Sequence, residues 1–216
     1  MNNELSEKDL LKIEIHNAIS HGIGVVLGIV FLLILIIPRI RSGDTLGVVA
    51  FSIYGGCFIL LFSASTIYHA VPFPKIKPIL RVFDHISIYY FIAGSYTPAI
   101  LLLTEGWFRV FFISLIWAIA LFGTVFKIVT YNKFDKTKIV SLITYISMGW
   151  LAIFLIRPIL NNTSWKFLLL LVLGGLLYTV GTIFYKSNRF KYNHVVWHFF
   201  VLAAAIVHFN GFYFFL

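Results

Sequence analysis

Seven runs of mostly apolar residues, each 17 to 25 long, dominate the chain, at about 21–37, 46–70, 84–103, 109–127, 139–156, 167–185 and 194–215. A helix needs roughly 17–25 mostly apolar residues to cross the hydrocarbon core of a bilayer. Each run therefore predicts one spanning helix. The gaps between them, from Arg39 to Asp44, Pro72 to Arg81, Thr104 to Gly106, Tyr131 to Lys138, Arg157 to Trp165 and Lys186 to Asn193, are too short for an extramembrane domain. The pattern predicts an all-α polytopic membrane protein, a single seven-helix transmembrane domain over 1–216.

Ahead of the first run, residues 1–20 predict an amphipathic helix leading into span one, with Ser6-Glu7-Lys8-Asp9 fitting a capping box at its start. Glu14, Asn17, His21, Gly24 and Gly28 follow at steps of three and four, which puts them on one face. A polar stripe running into glycines suits a face packed against other helices, because small residues let backbones approach closely. The first run is followed by Pro38-Arg39-Ile40-Arg41 rather than a small-residue cleavage site, so it is expected to be retained.

Composition sharpens the membrane reading. Only 12% of residues are charged and 60% are hydrophobic, against about 25% and 45–50% in soluble domains. The net charge of +9 does not imply a nucleic-acid partner, because the basic residues sit in the gaps between spans. With the N-terminus inside, 12 Lys and Arg fall on the inner side and 5 on the outer side. The positive-inside rule then predicts a cytoplasmic N-terminus and an extracytoplasmic C-terminus in the cell membrane. Cys57, the single cysteine, offers no internal disulfide.

That topology brings the chemistry together. His69 ends span two, Asp84 sits in the first turn of span three, and His194 and His198 occupy the first two turns of span seven, all at the inner boundary. Ionisable groups at membrane depth are costly and mark functional sites by default. His194 and His198 are four apart, the helical spacing by which two histidines bind one zinc ion. His69 supplies the third ligand of a catalytic zinc site, which keeps a position open. Asp84 is either a fourth ligand or a base acting on water, and Ser65, one turn before His69, is placed to support the site. Taken singly, each histidine is as well explained by an interfacial, hydrogen-bonded group. Their convergence favours zinc.

Other residues are less decisive. His85 is rotated about 100° from Asp84 on a helix and stands outside the set. His208, about 15 Å beyond His198, reads as a hydrogen-bonded core or outer-leaflet group. Glu14 and His21 reach the same boundary, where capping or helix packing explains them equally well. Pro98 predicts a kink in span three, and Tyr178 with Gly174 and Gly181 reads as helix packing.

Five ordered motifs carry a resemblance. Glu14-Ile-His-Asn17-Ala-Ile-Ser20-His21-Gly22, Ser65-Thr-Ile-Tyr-His69, Phe83-Asp84-His85 with Ala93-Gly-Ser-Tyr-Thr-Pro98, Gly174-Gly-Leu-Leu-Tyr-Thr-Val-Gly181 and His194-Val-Val-Trp-His198 resemble the hemolysin III family over almost the whole chain. That family groups with the progestin and adipoQ receptors, whose wider superfamily includes the alkaline ceramidases. The resemblance implies a seven-helix fold with zinc near the cytoplasmic side, ligated by His69, His194 and His198. It also implies that Asp84 holds the zinc-bound water, that Ser65 supports the site, and that the substrate is a lipid amide. The chain lacks the long N-terminal extension of the eukaryotic receptors, which argues against a hormone-receptor role.

Three functions follow as expectations. The leading one is a zinc-dependent hydrolase of a membrane lipid amide or ester. The second is a sensor in which zinc only staples helices together. The third is the pore or lytic activity that the family name implies, which wants polar stripes along several spans, whereas spans four and five carry almost no polar residues.

Overall fold

The computed structural model describes residues 6–187 and 191–216. Eight α-helices follow one another: α1 (Glu7–Ser42), α2 (Thr45–Ala70), α3 (Lys77–Leu103), α4 (Gly106–Val129), α5 (Phe134–Trp150), α6 (Ile156–Asn162), α7 (Trp165–Lys186) and α8 (Asn193–Phe215). A 3₁₀ segment, Leu151–Leu155, joins α5 to α6, so the two act as one interrupted span. Seven helical segments among the described residues are long and apolar enough to cross a membrane. The chain is a multi-pass membrane protein of the all-α class.

The start of α1 follows from its sequence. The Ser6 side chain accepts from the Asp9 amide at 3.2 Å, satisfying one of the donors that a helix N-terminus leaves unpaired. From there the helix runs through Pro38, Arg39 and Arg41, further than the expected end of span one. Proline removes one backbone hydrogen bond, while the two arginines suit the negative end of the helix dipole. Gly43, at φ 73°, ends it in the left-handed conformation.

The polar-to-glycine stripe of α1 packs as its spacing predicts. Asn17, His21, Gly24 and Gly28 are buried, and a Cβ on Gly24 would lie 2.1 Å from Phe62. At Gly28 the obstacle would be Phe58, at 2.6 Å. These contacts set α1 against α2 at close range and fix the register between Glu14 and His69. The core they border is built of Phe31, Tyr54, Phe58, Phe62, Phe91 and Phe212. Helix α8 lies against both α1 and α7, which closes the ring of helices.

Two expectations shift. Helix α3 begins at Lys77 with Pro78 in its opening turn, a favoured position for a residue that lacks N–H. Asp84 therefore lies about two turns inside the helix rather than in the first. The fifth span is not one continuous helix over 139–156. Pro158 stands in the first turn of α6, and its ring cannot share space with the carbonyl four residues earlier, so the α-ladder breaks ahead of it. The Tyr96 hydroxyl lies 3.0 Å from the Met148 carbonyl and 2.5 Å from that of Gly149, satisfying groups at the break.

Candidate metal centre

Three helices position the histidine cluster. His69 occupies the last turn of α2, and His194 and His198 the first two turns of α8, as expected. The centroids of the His69 ring lie 5.2 Å from His194 and 5.0 Å from His198, and those two rings are 4.6 Å apart. One ring nitrogen from each lies within 4.8 Å of the others, a grouping that could hold a metal ion. His69 and His198 are buried and His194 is half-buried.

The partners of these rings decide how they can act. His69 Nδ1 lies 2.6 Å from Glu14 Oε2, and Lys77 Nζ meets the other Glu14 oxygen at 2.9 Å. Glu14 fixes the proton on Nδ1, which leaves Nε2 with a lone pair. That Nε2 is buried with no hydrogen-bond partner. An unpartnered buried acceptor is costly, and a metal ion would satisfy it.

His198 is arranged alike. Its Nδ1 faces Ser20 Oγ at 3.1 Å and the Asn17 carbonyl at 3.3 Å, while Ser20 itself donates to Asn17 O at 2.8 Å. With the Ser20 proton committed, His198 donates from Nδ1 and keeps Nε2 free. Histidine ligands of metals hold their second nitrogen in this way, against a carboxylate or a carbonyl. The donor set, three imidazoles of which His69 and His198 are oriented through Nδ1, fits a zinc ion.

His21 stacks on His198, with centroids 3.6 Å apart and planes 18° apart. Its two nitrogens are buried without hydrogen-bond partners, and it stands outside the ligand group. The spacing along α1 signalled that Glu14, Asn17 and His21 share a face. It could not signal that Glu14 and Ser20 are the groups that orient His69 and His198.

Asp84 is buried and does not join the three histidines. It lines the same cavity as His194 and His198, and the Ser65 hydroxyl approaches its carboxylate. Ser65 thus stands beside Asp84 as much as beside the histidines. His85 has partners of its own: its Nδ1 donates to Arg81 O at 3.0 Å and lies 3.7 Å from Asp84 Oδ2, and its Nε2 accepts from the Tyr185 hydroxyl at 3.0 Å. It still borders the cavity, as sequence position alone did not suggest. His208 stands outside the ligand group but lines the same cavity, with Nε2 3.1 Å from the Leu171 carbonyl and its ring packed on Gly174.

The cavity extends about 320 Å³ from the cluster into the bundle, between α3, the α5–α6 break, α7 and α8. Its walls are mostly apolar, with Leu142, Ile146, Ile153, Leu168 and Val201 among them. Its size falls in the range of small-ligand sites, roughly 300–1,000 Å³. Non-helical backbone is tolerated at membrane depth where it lines such a space, and the 151–155 segment does so.

A family model described as haemolysin-III related matches residues 11–209. Hemolysin-3 of Bacillus cereus is 41% identical over 199 residues, covering 92% of this chain and 90% of that protein. The Hemolysin-3 homolog of Bacillus subtilis (strain 168) is 41% identical over 195 residues, 90% of each chain. The monocyte to macrophage differentiation factor of Homo sapiens is 34% identical over 163 residues, 73% of this chain and 66% of that protein.

Proposed function

The chain belongs to the haemolysin-III-related family, and from that premise we propose that it is a zinc-dependent hydrolase of a lipid amide or ester in the cell membrane. One observation carries the reading. Three histidines, two of them oriented by outer partners and left with a free nitrogen, bring ligand atoms within 4.8 Å of one another, and His194 and His198 among them line an apolar cavity that also holds a buried carboxylate.

His69, His194 and His198 would hold the ion, with Glu14 and Ser20 setting the tautomers of His69 and His198. Zinc, when bound, polarises a scissile carbonyl and activates water. The Asp84 carboxylate takes the proton from the attacking water and returns it to the departing nitrogen or oxygen. The apolar walls receive the hydrocarbon part of the lipid and keep bulk water from the reaction. Those walls disfavour a water-filled pore, which needs polar lining. The sensor reading instead requires a closed set of four ligands, and Asp84 lies outside the histidine group.

The test is release of fatty acid from defined ceramide and ester lipids by the purified protein in lipid nanodiscs. Asp84→Asn keeps the shape and loses the charge. It should retain metal while losing activity by about 10²–10⁴ if Asp84 is the base. Full activity in this variant excludes that role, and loss of metal turns Asp84 into a ligand and the protein toward the sensor reading.

Orientation is part of the proposal, with the histidine cluster at the cytoplasmic boundary. A reporter fused after Leu216 should be active only when its reporter works outside the cytoplasm. A fusion active only inside would reverse the topology.

A further inference from the structure

A second concavity lies beside the histidine cluster and plays no part in the hydrolysis described above. It has a volume of about 640 Å³ and is formed by the α2–α3 connection, by a 3₁₀ turn between α4 and α5 (Tyr131–Lys133) and by the first turn of α5. Lys77, Arg81, Lys133 and Lys136 line it, with Tyr68 and Tyr131 as aromatic walls.

The charges within it do not balance. Among the described residues, Asp135 is its only lining carboxylate, and it is taken by Arg81 at 2.6 Å. Among the described residues, Lys133 and Lys136 have no acidic partner and are exposed. Phe134 concentrates further positive charge: the Arg81 guanidinium lies 4.1 Å from its ring centroid, and Lys127 Nζ also lies 4.1 Å from it. Lys127 is fully buried and its ammonium has no hydrogen-bond partner. Placing an unpaired cation there is costly, and an anion in the neighbouring cleft would offset part of that cost.

A row of lysines serving only to orient the helices needs no shape. These cations come from two separate connections at the ends of spanning helices and converge on one concave space. Lys77 also reaches Glu14, the residue that holds His69, so the cleft adjoins the metal centre.

We propose that this cleft binds the phosphate of an anionic lipid headgroup. The phosphate sits among Lys77, Lys133 and Lys136, and the lipid's chains pass along the outer faces of α3 and α4. Clusters of Lys and Arg at a membrane boundary attract anionic headgroups, each basic residue strengthening binding roughly five-fold.

The test uses the full chain in nanodiscs of phosphatidylcholine alone, or with one-fifth phosphatidylglycerol. Native mass spectrometry counts retained phosphatidylglycerol and a thermal shift reports stabilisation. Lys133→Gln/Lys136→Gln removes two cleft cations, while Lys8→Gln/Lys12→Gln removes two from α1 outside it. Gel filtration confirms that each variant is folded. Retention should weaken about 25-fold in the cleft pair and stay near wild type in the α1 pair. Equal weakening in both pairs would mean diffuse surface charge and overturn the site. Inorganic phosphate, titrated in pure phosphatidylcholine, separates the sources. Stabilisation at millimolar phosphate that depends on Lys133 and Lys136 supports the phosphate site and makes soluble phosphate its occupant. No effect of either probe overturns the proposal.

Discussion

The two ends of the bundle both gather polar side chains, but they use them differently. At the end remote from the histidines, polar groups finish helices. Arg39 donates to the Leu35 carbonyl at 3.1 Å and to the carbonyl of Leu216, and Asn162 donates to Leu103 O at 3.2 Å. Arg109 likewise donates to Thr104 O at 2.5 Å. The bonds to Leu216, Leu103 and Thr104 satisfy carbonyls that helix ends leave unpaired, while the one to Leu35 is a second bond to a carbonyl inside α1. At the histidine end, His69 and His198 are each held through one nitrogen only, and His69 Nε2 is left buried and unpartnered. Arg39 Nε and Ser164 Oγ at the remote end are also buried without a hydrogen-bond partner, but neither belongs to a cluster of ligand atoms. A polar group bonded to a helix-end carbonyl contributes to the fold. One that is oriented by its partners yet keeps an atom free is built to meet something else.

Breaking the orientation without touching a ligand should separate the two ends most clearly. Glu14→Gln leaves His69 in place but weakens the charge that fixes its tautomer. Metal affinity, measured by competition with a chelator, should fall about 10–100-fold, the usual effect of losing an outer partner of a ligand. Unchanged affinity would reduce the Glu14–His69 contact to helix packing.

The remote end should give the opposite result. Asn162→Ala removes a bond to the end of α3 and should lower stability by about 0.5–1.5 kcal/mol, seen as a modest drop in melting temperature. Its metal content should match wild type. Metal loss in this variant would show that the two ends are not energetically separate.

The sequence carried these elements unequally. Seven apolar runs were enough for the helices, because a span is long and its signal accumulates along it. The four-residue step from His194 to His198 was legible for the same reason, being local to one helix. Glu14 was harder. Its face was visible from the steps along α1, but its contact with His69 depends on how α1 slides against α2, which Gly24 on Phe62 and Gly28 on Phe58 decide. The break at 151–155 was hidden because its cause, Pro158, lay in what reads as a polar connection, so its effect on the preceding turn was not visible in the apolar pattern. Asp84 was expected in the first turn of span three and lies about two turns inside α3, since the mixed residues from Lys77 to Phe83 are helical without being strongly apolar.

The claim on which the rest stands is that His69, His194 and His198 hold a single zinc ion. Elemental analysis of the purified wild-type protein beside a His194→Ala/His198→Ala variant tests it most directly. Gel filtration and the helical signal of each sample establish that both are folded. The account predicts about one zinc per wild-type chain, as a site with three protein ligands would hold, and almost none in the variant. Equal metal content in the two, or a folded wild-type protein with no metal after growth in zinc, would contradict it.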